Sequence, residues 1–383
     1  MLRAFALMDR YLLCAHENDT YKFVCRKPLL DKMASLGYEV HVAIPAGPLE
    51  AQVKEWGYIP HALPLSRGSL NPMKEWGTVN SFKALHREVR PKLTHNFTSK
   101  AVLYGSLAGS GRIVSTITGI GFSLTGGMTG LKGFVFRTIS TALHKKALRR
   151  CRFVTFQNQD DLDVFLSLGI LPSEKSILIQ GSGVDMNQNH PSKREPEGEK
   201  VKFLVLSRLI APKGIREFVE AAREVEKRLP GKCEFVLAGA IDPENPQRIS
   251  EEELAEWQRE GIVKWIGVVP NAVEAFKSAS VAVLPSYWLE GLPRSMVEAA
   301  AMGLPVITTS NSGCKDAVVD GVTGFMIPPR EVAPLIEAMM KLAESKELRE
   351  KMGAAGREFV QERYSVETVV AKTVAVYERA LEG

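Results

Sequence analysis

The chain has 383 residues, a formal net charge of +5 and an apolar content of 45%, which is ordinary for a globular protein and long enough for roughly two domains. No run of about 18 uncharged apolar residues occurs, so no transmembrane helix is expected. The opening MLRAFALMDRYLLCAHEND is broken by Arg3, Asp9 and Arg10 and has no small-residue cleavage site, so no signal peptide is expected either. Five scattered cysteines (Cys14, Cys25, Cys151, Cys233 and Cys314) form no Cys-x-x-Cys. They fit a reducing cytoplasm and speak against a zinc site or a disulfide framework.

In chain order, Tyr11–Ala15 reads as a strand that ends in the loop His16–Thr20. A helix over Lys27–Leu36 stops at Gly37, a residue suited to the position just past a helix end. A buried strand follows at Glu39–Pro45, then a helix near Glu75–Val89, a strand near Lys92–Asn96, a helix near Ala101–Ala108 and a strand at Arg112–Thr116. Gly181–Lys200 is polar, carries Pro and Gly and lacks periodicity, which marks a linker. Beyond it the rhythm resumes with strands at Val201–Leu206, Glu234–Ala238, Ile262–Ile266, Val281–Pro285 and Pro305–Thr308. The helices of this half are expected at Ile215–Leu229, Ala272–Ala279 and Arg294–Met302, with a last amphipathic helix near Val366–Leu381. Such alternation predicts an α/β protein of two Rossmann-like β/α/β domains, 1–190 and 191–360. The helix 361–383 is expected to cross back to the first domain, and ligands to lie in an interdomain cleft at the strand ends.

Charge is unevenly spread. Residues 1–190 hold 23 Lys/Arg against 14 Asp/Glu, residues 191–383 hold 26 against 30, and no acid occurs between Glu88 and Asp160. A basic field this local predicts an anionic partner.

Two motifs of the second half each follow a strand, one after Val281–Pro285 and one after Val201–Leu206. In LEGLPRSMVEAAAMGLPVITT (289–309), Pro293 suits the first position of a helix. The first-turn N–H groups of that helix can then hold an anion, phosphate by preference. Glu298 lies about one and a half turns in, and Glu290 projects from the loop before it. A carboxylate accepts hydrogen bonds from vicinal hydroxyls, so the pair suits a ribose and a sugar. The plainer reading makes them a helix-surface charge and a helix-dipole charge. In SRLIAPKG (207–214), Arg208 and Lys213 leave the first strand of this half, and two cations there suit a diphosphate that becomes a leaving group.

On SRLIAPKGIREFVEA, EGLPRSMVEAAAMGLPVITT and GCKDAVVDGVTGFMIPP, residues 201–330 resemble the donor-binding half of the retaining GT-B glycosyltransferases of family 4. The resemblance implies that Glu298 binds the nucleotide ribose. It implies that Glu290 holds donor-sugar hydroxyls beside the amides of Gly291 and Leu292. Arg208 and Lys213 would hold the diphosphate, and backbone near Gly267 the base. In the first half LPLSRGSLNP (63–72), HNFTSKAVLYGSLAG (95–109), TITGIGFSLTG (116–126), FQNQDDLDVF (156–165) and GSGVD (181–185) resemble one subgroup. Its members are the bacterial diacetylbacillosaminyl-diphosphoundecaprenol α-1,3-N-acetylgalactosaminyltransferases. The sequence departs from the family where a His-Gly pair is usual, carrying Thr118-Gly119 instead, and its first loop, His16–Thr20, is not glycine-rich. His95, ending a strand, is a candidate to line the cleft.

Asp161-Leu-Asp163 mimics a metal-binding Asp-x-Asp but opens a helix, where acids favour the dipole. Asn96-Phe-Thr98 matches a glycosylation sequon without a secretory context. Leu131–Arg152 mixes apolar residues with basic ones. Lys132, Phe134, Arg137, Lys145, Lys146 and Arg149 are its candidates for docking on an anionic membrane surface. Nucleic acid is excluded for want of aromatic platforms or a reading motif.

The sequence therefore predicts a cytoplasmic, peripherally membrane-bound hexosyltransferase. Its donor would be a UDP-sugar and its acceptor a lipid-diphosphate-linked saccharide, with no metal and no cofactor. Two rivals stand beside it: a transferase with a soluble acceptor, which would not bind liposomes, and a non-catalytic sugar-nucleotide-binding subunit, which would release no UDP. A third rival is a nicotinamide dehydrogenase, against which no Gly-x-Gly-x-x-Gly follows either opening strand.

Overall fold

Apolar runs of four to seven residues form strands here, and the longer segments of helical spacing between them return the chain in parallel. The computed structural model describes residues 8–16, 23–65, 72–120, 130–243 and 245–382, without the side chains of 72–74, 131 and 132. Parts of three stretches singled out above lie outside these residues: the loop after His16, 66–71, and 121–126. So does the Lys132 side chain.

The chain divides into two compact units, 1–180 with 369–383, and 181–368. In the first, the order is β1 (Arg10–Ala15), α1 (Lys27–Ser35), β2 (Glu39–Pro45), α2 (Leu49–Glu55), β3 (Ile59–Leu63) and α3 (Pro72–Val89). There follow β4 (Leu93–Phe97), α4 (Ser99–Ala108), β5 (Arg112–Ile117), α5 (Gly130–Leu148), β6 (Phe153–Phe156), α6 (Gln159–Ser167) and β7 (Ser176–Leu178). All seven strands are parallel, in the order β3-β2-β1-β4-β5-β6-β7. Both faces of the sheet are covered, as parallel sheets require. Tyr11, Leu13 and Ala15 of β1 enter one apolar cluster, and Leu12 and Cys14 enter another on the opposite face.

The second unit runs β8 (Val201–Leu206), α7 (Ile215–Arg228), β9 (Cys233–Ala238), α8 (Glu251–Arg259), β10 (Lys264–Trp265), α9 (Ala272–Phe276), β11 (Val281–Leu284) and α10 (Arg294–Ala301). It ends with β12 (Val306–Thr309), β13 (Gly324–Ile327), α11 (Val332–Glu344), α12 (Lys346–Tyr364) and the start of α13 (Val366–Glu382). Its strands are again parallel, ordered β10-β9-β8-β11-β12-β13.

Several elements differ from their sequence expectation. The strand expected over Ile262–Ile266 is only two residues long, because it pairs on one side, with β9, and Gly267 turns out of it at φ +72°. α9 stops at Phe276, where Ala279 N–H bonds back to Phe276 O in a tighter turn. The units divide at 180/181 and 368/369 rather than at 190 and 360. The reason is that Val184 bridges Ser365 and packs in the second unit's apolar cluster. Asp161 and Asp163 lie in the opening turns of α6, whose N-cap Asn158 accepts from Asp161 N–H at 2.7 Å.

α13 starts in the second unit and ends in the first, where Val369, Val374, Val376, Tyr377 and Ala380 join the cluster of β1.

Candidate functional site

Because β8 to β13 are parallel, every loop that follows one of these strands leaves the same edge of the sheet. Gly267 follows β10, Gly239 follows β9, Arg208 follows β8, Ser286–Leu292 follows β11, and Ser312–Gly313 follows β12. Topology alone thus gathers the second-half candidates along the carboxyl edge of five neighbouring strands.

Two glycines set how tightly these loops pack. Gly214, at φ +76°, closes the turn after Lys213, and a Cβ there would stand 2.1 Å from Pro285 O. Gly313, at φ +73°, lies against the crevice loop, where a Cβ would meet Glu290 O at 2.3 Å. Only glycine adopts both the conformation and the approach. The same loop is pinned by Tyr287 and Trp288 N–H donating to Pro212 O at 2.9 and 3.0 Å. It is also pinned by Glu290 N–H donating to Ser312 O at 3.3 Å. Arg330, itself at φ +67°, stacks on the Tyr287 ring at 4.4 Å.

Within this frame Lys213 Nζ forms an ion pair with Glu290 Oε1, their side chains 12% and 13% exposed. Ser286 Oγ, fully buried, lies 3.2 Å from the same oxygen. Cys314, behind the loop, has its thiol pushed up to about 12 by burial, with Glu290 adding to the effect. Gly291 is buried and Leu292 half-buried beside Gly181. Arg208 points elsewhere: its guanidinium donates to Asp242 at 2.8 Å. Gly267 O accepts from Gly239 N–H at 2.7 Å, and a Cβ on Gly267 would meet nothing within 4 Å.

Glu298 is not a helix-surface charge, since it is only 3% exposed. Arg294, one turn earlier, donates to it at 2.7 Å. Pro293 is the N-cap of α10 rather than its first residue, with φ −69° and ψ 102°, and the helix begins at Arg294. Sequence reasoning missed Ser286, Asp242 and Arg294 as partners of the expected site residues. Two of these pairs are local, Ser286 with Glu290 and Arg294 with Glu298, each four residues apart, and the second carries the helical i, i+4 signal.

In the first unit the candidates part company. Thr118 and Gly119 are half-buried just past the end of β5, Gly119 at φ +138°. His95 does not line an opening. It is sealed inside the unit, and its ring nitrogens are taken by the Tyr377 hydroxyl and by Thr116 Oγ1 at 2.6 Å. Tyr377 in turn bonds the Tyr11 hydroxyl at 2.8 Å, and Thr116 bonds Thr155 at 2.6 Å. Burial, aided by the nearby Arg26 charge, holds the imidazole well below its usual range and therefore neutral.

On α5, Phe134 is 61% and Ile139 55% exposed, with Val135 and Leu143 also outward. Ser140, His144, Ala147 and Leu148 face inward. Lys146 and Arg149 are exposed at the far end, and Arg137 and Lys145 are half-buried. No helix among the described residues is long and apolar enough to cross a membrane, and no group of three or more His, Cys, Asp or Glu there is placed to hold a metal ion.

Residues 186–359 match the family model for glycosyl transferases group 1. Over 374 residues the chain is 24% identical to the N,N'-diacetylbacillosaminyl-diphospho-undecaprenol α-1,3-N-acetylgalactosaminyltransferase of Campylobacter jejuni, covering 94% of this chain and 96% of that protein. It is 25% identical over 297 residues to the UDP-Gal:α-D-GlcNAc-diphosphoundecaprenol α-1,3-galactosyltransferase of Escherichia coli, covering 73% of each. Among solved structures, Anabaena HepE in complex with UDP and glucose aligns with a TM-score of 0.79 at 17% identity, over 97% of this chain and 99% of that one. A glycosyltransferase from Rickettsia africae aligns with a TM-score of 0.78 at 15% identity, over 98% and 99%. Residues 186–359 are therefore a glycosyl transferases group 1 domain, and the chain that carries them is a GT-B protein of two Rossmann-like units.

Proposed function

We propose that the protein transfers an N-acetylhexosamine from its UDP-sugar to a saccharide carried on diphosphoundecaprenol, with retention and without metal or cofactor. The observation that carries this reading is the Lys213–Glu290 pair, held by Ser286 at the carboxyl edge of the second sheet and adjoining the helix that bears Glu298. The cation suits the donor diphosphate and the carboxylate suits the hydroxyls of the donor sugar. Glu298, kept in place by Arg294, suits the ribose. The acceptor and donor classes follow the names of the Campylobacter and Escherichia relatives.

In the step proposed, the bond from the sugar's anomeric carbon to the diphosphate oxygen breaks, and the acceptor oxygen bonds that carbon from the same face. The acceptor proton passes to the departing diphosphate. Lys213 and the N–H groups at the start of α10 neutralise the charge that develops there, Arg208 joins them by exchanging Asp242 for the diphosphate, and no protein nucleophile takes part. The outward apolar stripe of α5, followed by Lys145, Lys146 and Arg149, is the surface on which the protein meets an anionic membrane carrying the acceptor.

The test is a panel of UDP-sugars offered with a lipid-diphosphate-linked N-acetylated sugar, with and without EDTA, read by product mass and linkage. A UDP-N-acetylhexosamine should give the highest kcat/KM, undiminished by EDTA, with an α-linked product. UDP release without a new glycosidic bond refutes transfer, and a β-linked product refutes retention.

A further inference from the structure

Among the described residues, three other than glycine have positive φ: Arg90 at +48°, Thr98 at +69° and Arg330 at +67°. Two of them have local reasons. Arg90 directly follows α3 and its N–H bonds His86 O, in the left-handed turn with which helices commonly end. Thr98 joins β4 to α4, and its hydroxyl accepts from His16 N–H at 2.8 Å, which ties the end of β1 to the end of β4. Arg330 has neither reason. It lies between Pro329 and Glu331, the N-cap of α11, in a turn where glycine would adopt this φ freely. Its guanidinium enters no ion pair and no hydrogen bond among the described residues. What it meets is the face of the Tyr287 ring, at 4.4 Å. Holding a residue other than glycine at such a φ costs more than a surface cation–π contact returns, and Arg330 is exposed. Stability is therefore not what this arginine supplies.

Tyr287 tells what the constraint acts on. Arg330 stands three residues past the end of β13 and Tyr287 three past the end of β11, so the stack spans β12 on the carboxyl edge of the sheet. Burial raises the Tyr287 hydroxyl above its ordinary range and Glu217 adds to the effect, so the ring meets the cation as a neutral phenol. The crevice loop that carries both Tyr287 and Glu290 is fastened from the β8 side by Pro212 O. From the β12 side it is fastened by Ser312 O and by Asn311, whose side-chain amide donates to Trp288 O at 2.7 Å. Arg330 adds a hold from β13, on a ring three residues before Glu290. A strained residue that reaches over a neighbouring strand to brace this loop has its reason in the loop.

We propose that Arg330 is a positioning residue for the crevice loop, holding Tyr287 so that Glu290 stays where the donor sugar meets it. The part played by Glu290 rests on the glycosyl-transfer reading above, whereas the hold on the loop does not. The experiment compares full-length wild type with Arg330→Gly, which removes the strain and the stack together, and with Tyr287→Leu, which removes the ring alone. Hydrogen exchange of the 286–292 amides, read by mass spectrometry, should quicken about fivefold in both variants. Arg330→Gly should melt no lower than wild type, since glycine takes this φ without strain. In transfer assays kcat should fall about fivefold in each variant while UDP affinity holds. The double variant should be no worse than the slower single one, because the two residues act through one contact. Unchanged loop exchange in Arg330→Gly overturns the proposal, and so does an unchanged kcat in that variant when wild type transfers sugar. A lower melting temperature for Arg330→Gly would make the arginine structural and overturns it as well. If loop exchange quickens while wild type never transfers a sugar, the transfer reading fails and the hold on the loop stands.

Discussion

Lys213 and Glu290 are mutually satisfied at about one-eighth exposure, so removing either strands the other beside the proposed diphosphate position. Lys213→Ala and Glu290→Ala should each lower kcat by about 10²–10³-fold, the range seen when one donor to a developing charge is lost. The protein should stay folded, and unchanged turnover in either variant contradicts the assignment. Histidine sets a different observable. His86, buried, has a folded pKa of about 4, depressed mainly by burial, and that of His95 is lowered for the same reason. Above pH 6.5 both imidazoles are neutral folded or unfolded. As pH falls through about 6.5 the unfolded chain takes protons that the folded one refuses, so stability is lost, by at most about 1.4 kcal/mol per pH unit for each group. For His86 the loss continues down to about pH 4. The urea midpoint of the wild type should fall between pH 7 and pH 5, and His86→Gln should flatten that fall. That Arg208, Lys213, Glu290 and Glu298 lie along the carboxyl side of the second sheet was legible in the sequence, because each stands at a fixed offset from a strand or a Gly-Leu-Pro turn. Their partners were less so: Asp242 is 34 residues from Arg208, and nothing local marks it. His95 was misread because β4 runs on to Phe97, which leaves His95 at the middle of the strand rather than its end, where Tyr377 of the last helix covers it.

Among the elements, the helices and strands with clean periodicity were legible, and the departures have physical causes. β3, β6, β7 and β13 were not called, being strands too short to show a clear apolar run. α2, α8, α11 and α12 were not called either, although Ser250 and Glu253 form a complete capping box at the start of α8, a local signal that was present and overlooked. α5 carries the most testable behaviour of any single helix. With Phe134, Val135, Ile139 and Leu143 outward and the basic end beyond them, its attraction to anionic lipid should amount to about 1 kcal/mol per basic residue near the surface. Replacing Lys145, Lys146 and Arg149 by Glu should weaken sedimentation with phosphatidylglycerol vesicles at least tenfold while leaving UDP affinity unchanged. If UDP binding falls in step, the helix is structural and the membrane proposal fails.

At the scale of the whole molecule, the return of the last helix was expected, and what it buries was not. Its Tyr377 hydroxyl joins Tyr11 and His95 in one buried chain of hydrogen bonds, across 366 and 282 residues of sequence. Tyr377→Phe leaves polar groups without their partner and should destabilise the first unit by about 1–3 kcal/mol. A stop after Thr368 removes Val369, Val374, Val376, Tyr377 and Ala380 from its apolar cluster. Such a chain should lose protease resistance in the first unit and still bind UDP through the second. Equal protection of both units would show that the helix is dispensable.

This crossing also bears on how the protein is made. Ribosomes add about 5–20 residues per second, and 188 residues separate Gln180 from Val369. The first unit therefore spends roughly 10–40 s on the nascent chain with one side of its β1 cluster unfinished. The segment that completes it is made only after the whole of the second unit. The half that is synthesised first is thus the half that matures last. A frameshift or stop before Val369 would then damage the strands of the first unit as surely as the residues it removes.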